Sequence, residues 1–217
     1  MIAMDTALTG TSLLIYGMVL GISIAAPVGP IGVLCIRRTL AAGLLPGLAT
    51  GLGAAVADGL YGAVAAFGIA SVANLLMAVN LWLRLAGGTF LLWLGLRTVS
   101  RKPEDPLQEI PQDPGGFSLA TDFASTFVLT LANPMTIISF SAIFMGLGKD
   151  IATAGATGPL LLVMGVFSGS ALWWLGLSSF FSLFRKKMTP TAMKWVNRVS
   201  GSVIVLFGAI VLLDAII

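Results

Sequence analysis

Six long apolar segments alternate with short polar ones along the chain, at about 12–36, 43–69, 81–99, 121–147, 159–184 and 194–216. Each run, as a helix rising 1.5 Å per residue, is long enough to cross roughly 30 Å of hydrocarbon. The runs are continuous and lack the alternating segments of membrane strands, so the pattern predicts helices and excludes a barrel. Two of the six carry proline where a helix would otherwise run through. In the first, Ala25-Ala26-Pro27-Val28-Gly29-Pro30 withholds two backbone N–H donors and places a glycine free to leave helical angles, so the helix breaks there. In the fourth, Asn133-Pro134 repeats the device, with an amide side chain able to replace the missing donor. Irregular backbone at membrane depth survives only where protein buries it or a polar cavity faces it.

The polar segments divide the chain in two. Residues of about 100–120, with Pro103, Glu104, Asp105, Pro106, Glu109, Pro111, Asp113 and Pro114, read as a cytoplasmic linker. The halves on either side, about 12–99 and 121–217, resemble one another. Trp82, Gly88 and Gly95 recur at a constant offset as Trp195, Gly201 and Gly208, pairing the third segment with the sixth. Gly53, Asp58 and Tyr61 match Gly165, Ser170 and Trp173, pairing the second with the fifth, and Gly29-Pro30 then falls opposite Asn133-Pro134. Three spans per half is an odd number, so the second copy inserts upside down. The predicted fold is therefore an all-α membrane protein: a single domain of six transmembrane helices in two inverted three-helix repeats, with broken helices in spans one and four. Ser71 to Asn80 is polar enough to belong at the outer interface, and the pattern leaves its conformation open.

Composition agrees with a membrane protein. Hydrophobic residues make up 57% of the 217 and charged ones 10%, with a mean hydropathy of +1.00, far too few polar side chains to cover a water-facing surface. The first apolar run is preceded by Asp5 and by no Lys or Arg, unlike the basic opening of a cleavable signal peptide, so it is expected to stay as a span. Of the 12 Lys and Arg residues, all but Arg84 and Lys149 fall on one side of the predicted bundle, at Arg37 and Arg38, at Arg97, Arg101 and Lys102, and from Arg185 to Arg198. The positive-inside rule makes that side cytoplasmic and puts both termini outside. The net charge of +3 is thus a matter of topology, and nucleic acid is not an expected partner.

Histidine is absent and Cys35 is the single cysteine, which excludes imidazole relays, His-built zinc sites, His-assisted nucleophiles and any internal disulfide. Carboxylate, hydroxyl, amide and backbone chemistry remain. Asp58 lies halfway along the second span among Ala54, Ala55, Val56, Ala57 and Leu60. A carboxylate at that depth costs about 2.5–3.5 kcal/mol on insertion, which makes it a functional candidate, here a proton-coupling group. Its structural alternative is an ion pair with Arg84, which can also snorkel outward. Tyr61, one turn on, could hydrogen-bond the carboxylate or serve as core. Helix ends opened at the two breaks would offer positive amino termini to an anion and freed carbonyls to an ammonium group, so Pro27, Gly29, Pro30, Asn133 and Pro134 suit a zwitterion. Trp173 or Trp174 would wall a cavity, Trp173 being the assigned candidate. The glycine pairs Gly47/Gly51 and Gly165/Gly169 allow close helix crossings, within the subunit or in a homodimer. Thr126, Thr130, Thr136, Ser139 and Ser141 give span four a polar side whose hydroxyls bond their own backbone by default.

Taken together, Ala25 to Pro30, the glycine-rich stretch from Gly43 through Asp58 to Gly68, Trp82 to Gly95, Asn133-Pro134 with Phe140 to Gly148, and Gly165 to Trp174 resemble the lysine exporter (LysE) family of amino acid effluxers over nearly the whole chain. The resemblance implies an inner-membrane, proton-driven exporter of amino acids or related small metabolites, acting without cofactor or resident metal and not as an enzyme. Met135 stands after Asn133-Pro134 where many members carry lysine, so substrate is not carried over from lysine or arginine exporters. The alternative is a divalent metal cation exporter of the same superfamily, for which the chain offers one mid-depth acid and Cys35. An intramembrane hydrolase ranks third, since a lone Asp makes no aspartyl dyad.

Overall fold

The computed structural model describes residues 10–27, 29–67, 70–100, 118–133, 136, 140 and 157–216, with backbone alone at 10, 65, 70–80, 83, 84 and 214–216. These residues are helical in seven segments, with no strand among them: α1 (Gly10–Ala25), α2 (Pro30–Ala42), α3 (Leu44–Phe67), α4 (Ala70–Val99), α5 (Leu119–Leu131), α6 (Gly158–Ser182) and α7 (Pro190–Ile216). A single 3-10 turn, Arg185–Lys187, links α6 to α7.

The predicted break in the first segment separates α1 from α2, whose axes meet at 82°. Its cause is local. Pro30 opens α2 at a position where a missing N–H costs nothing, and the chain between turns through a Gly29 N–H donating to the Pro27 carbonyl at 2.8 Å. Gly29 itself sits at φ −95°, ψ −165°, extended backbone that any residue adopts. The backbone thus leaves helical angles at Gly29 as expected, without using glycine's access to positive φ. Gly43 is where that freedom is used: at φ +102° it ends α2, and α3 begins at the next residue.

Segments two, five and six appear as α3, α6 and α7, each long and apolar enough to cross a membrane at Leu44–Val64, Gly158–Lys187 and Pro190–Leu213. The bent α1–α2 pair passes the same test as one broken span. In α4 the apolar part is Leu85–Val99, and the helix continues backward through 71–80, the stretch whose conformation the pattern left open. Span four is represented by α5, by Thr136 and by Phe140. Its remainder, with Pro134, Ser139 and Ser141, and the linker at 101–117 lie outside the described residues.

Helix contacts are made by glycine. α1 and α6 form the most extensive contact, α4 and α7 the next. A Cβ on Gly88 would meet the Gly208 carbonyl oxygen at 3.2 Å and one on Gly208 the Gly88 oxygen at 3.0 Å, while Gly95 and Gly201 face each other's carbonyls at 2.9 and 2.8 Å. The same exchange relates two other crossings. A Cβ on Gly165 would run into the Leu14 carbonyl and lie 2.9 Å from the Met18 nitrogen, and one on Gly53 would run into the Phe123 carbonyl and lie 3.1 Å from the Phe127 nitrogen. Backbones approach this closely only where no side chain intervenes. Gly47 and Gly51 likewise face Thr39 and Trp174 of this same chain, so both glycine pairs singled out in the sequence are occupied by crossings within the subunit.

Candidate functional site

The break between α1 and α2 opens onto a small cavity whose walls come from α1, α2, α3, α6 and the end of α5. Pro27, Gly29, Pro30, Ala54, Asp58, Thr130, Asn133, Thr136 and Trp174 are among its lining residues. Its free volume is about 40 Å³, room for a few waters and too little for a larger solute without widening. Five of the sequence-assigned residues therefore meet in one place: Pro27, Gly29, Pro30, Asn133 and Asp58. Pro134 is outside the described residues.

Asp58 is buried, and its Oδ2 accepts a hydrogen bond from the Ser170 hydroxyl at 2.7 Å. Ser170 in turn accepts from the Trp174 indole Nε1–H at 3.2 Å. Because indole only donates, the serine proton is directed to the carboxylate. The network runs across the α3–α6 interface and supplies Asp58 with a partner from α6. The alternative pairing with Arg84 falls on a side chain outside the described residues.

The α5 end is finished by residues from two elements. Proline at 134 has no N–H for the Thr130 carbonyl, and the Asn133 N–H reaches it instead at 3.2 Å. The Leu131 carbonyl accepts from the Tyr61 hydroxyl at 2.6 Å. Tyr61 is not among the lining residues; it stacks on Phe140 at 5.5 Å between ring centres and holds the end of α5 in place. Of the residues assigned to ligand binding, Tyr61 is thus placed at the end of α5, beside the cavity rather than in its lining. Trp173 is likewise not among the lining residues. It packs, partly buried, against the cluster of Ala25, Ile31, Cys35, Ala54, Ala55 and Trp174, and Trp174, about 100° further round α6, faces the cavity.

One cluster escaped the sequence reading. Arg37 and Arg38 were expected to serve as topology determinants, yet both are buried. Arg38 Nε lies 3.0 Å from Asp122 Oδ1. Its terminal nitrogens donate to Thr50 Oγ1 at 2.9 Å, to Thr126 Oγ1 and the Asp122 carbonyl at 3.1 Å each, and to Ser125 Oγ at 3.0 Å. Arg37 Nε donates to Asn197 Oδ1 at 3.2 Å. Asp122, in the first turn of α5, had a signal in the sequence: an acid at a helix amino terminus inside an apolar run.

A broken helix and a buried carboxylate line one cavity inside a bundle of apolar helices, an arrangement that fits a multi-pass membrane transporter. The chain belongs to the LysE type translocator family, whose pattern it matches over residues 22–215. It is 29% identical over 194 residues to the Bacillus subtilis (strain 168) protein named "Putative amino acid efflux protein YcgF", covering 88% of this chain and 90% of that one. It is 29% identical over 174 residues to the "Uncharacterized membrane protein YahN" of Escherichia coli (strain K12), covering 79% and 76%. No solved structure matches.

Proposed function

We propose that the chain is a secondary active exporter of amino acids or closely related small metabolites across the bacterial inner membrane, working by proton antiport. The observation that carries this reading is the convergence of the 27–30 break, Asn133 and Asp58 on one cavity. The α2 amino terminus suits the substrate carboxylate, and the backbone and amide oxygens about Asn133 suit its ammonium group. Asp58 takes up a proton from outside as the substrate leaves. The named relative YcgF supports the substrate class.

The inverted-repeat plan of six spans is supported by the glycine contacts, since the Gly88–Gly208 and Gly95–Gly201 pairs exchange under the offset that relates the halves. The basic connections support cytoplasmic loops and external termini. Among the described residues no group of three His, Cys, Asp or Glu side chains comes together as a metal site, so no observation there favours the divalent-cation alternative.

The test is efflux from vesicles loaded with amino acids under an imposed proton gradient. Asp58→Asn keeps the hydrogen-bonding shape and loses the titrating group, and it is expected to abolish gradient-driven efflux while leaving binding of the substrate, seen as a thermal shift, in place. Undiminished proton-driven efflux in that variant overturns the coupling role.

A further inference from the structure

We propose that Arg38, Asp122, Thr50 and Thr126 form the gate that closes the cavity toward the basic connections, the cytoplasmic side in the reading above, on which this inference rests for its orientation. The two threonines lie one helical turn past the cavity wall on α3 and α5: Thr50 is four residues before the lining Ala54, and Thr126 is four before the lining Thr130. On α2, Arg38 stands beyond the lining Pro30 and Gly32, and on α6 Ser178 stands four residues beyond the lining Trp174. Buried Cys35, three residues before Arg38 on α2, reaches both α6 and α3, its sulfur 3.4 Å from Ser178 Oγ and 3.5 Å from the Gly47 carbonyl.

The chemistry fits a seal that opens. Arg38 ties α2 to both α3 and α5 through hydroxyl and carboxylate partners, and these are the helices that wall the cavity. A buried ion pair is poor evidence of stabilisation, because well-packed apolar side chains of similar size hold helices together at least as well. What a polar layer adds is that each group can take water in place of its partner when the helices part, whereas an apolar seam would be exposed. With the layer intact, the guanidinium fork occupies the path between the cavity and the basic loops.

The single cysteine reports the state of this layer without any introduced label site. Full-length protein in right-side-out and inside-out vesicles is treated with a charged, membrane-impermeant methanethiosulfonate, with no amino acid and no gradient present. The native chain is expected to label slowly from both faces. Asp122→Asn is expected to speed Cys35 labelling about tenfold from the cytoplasmic face alone, and the milder Thr126→Val by less, a tenfold change corresponding to about 1.4 kcal/mol in the closed–open balance. Unchanged labelling in variants that insert and purify like the native chain means a static anchor and overturns the gate, as does an equal rise on both faces. A rise confined to the outer face overturns the cytoplasmic assignment. None of these readings depends on what is exported, so the gate and the amino acid reading fail separately.

Discussion

Asp58 and Ser170 meet across the α3–α6 interface, the serine hydroxyl 2.7 Å from the carboxylate, and they hold the same place in the two halves, each five residues after a glycine that lets another helix pass at backbone distance. In the proposed repeat, the carboxylate thus takes its hydrogen-bond donor from its own counterpart. An ionisable group placed between α3 and α6 senses any change in how those helices are set against each other.

The strength of that contact can be measured. A hydrogen bond to a charged group contributes about 1.5–3 kcal/mol, so Ser170→Ala is expected to slow gradient-driven efflux by roughly tenfold or more, while Ser170→Thr, which keeps the donor, retains most of it. Trp174→Phe removes the indole donor that orients Ser170 and is expected to give a smaller loss; Trp173→Phe, away from the cavity, leaves efflux near native. Equal effects of the two tryptophan substitutions would contradict the assignment of Trp174 to the cavity wall.

Gly29 separates the needs of folding from those of transport. A Cβ there meets nothing within 4 Å and its backbone angles are ordinary. Gly29→Ala is expected to fold with stability within about 0.5 kcal/mol of native, whereas Gly29→Leu fills the cavity and blocks efflux in a protein that still folds. Thermal unfolding in detergent, run beside efflux, checks both, and a large loss of stability in Gly29→Ala would refute the reading.

Crossing glycines behave in the opposite way. Gly53→Val and Gly165→Val each drive a side chain into a backbone carbonyl, and each is expected to destabilise by at least the 1–3 kcal/mol typical of overpacking. The two effects should agree within about 1 kcal/mol if the crossings are equivalent. Gly176, whose added Cβ meets nothing within 4 Å, is the control: Gly176→Ala should hold or raise stability by up to about 1 kcal/mol. Unfolding temperatures of the three variants decide the matter.

How much of this was legible in the sequence depends on the range of the physics involved. Proline's missing donor acts within one turn, so the break at Pro27–Pro30 and the end of α5 just before Asn133 could be read directly. Asp58 stood out because hydropathy prices a lone acid wherever it lies. The Arg38–Asp122 pair did not, since each residue sits near the end of an apolar run and reads alone as an interfacial charge; only packing brings together residues on α2 and α5. Tyr61 bonds a main-chain carbonyl, a partner with no side-chain signature. The choice between Trp173 and Trp174 turned on about 100° of helix rotation, which composition does not encode.

The glycine crossings also limit how the molecule can move. Where backbones touch without intervening side chains, as in α1 against α6 and α4 against α7, two helices have no compliant layer over which to slide, and each pair travels as a rigid body. A cavity with about 40 Å³ of free volume then widens by displacement of one such body relative to another. The turn from α1 to α2, whose axes meet at 82°, is where such a displacement is expected to bend the chain.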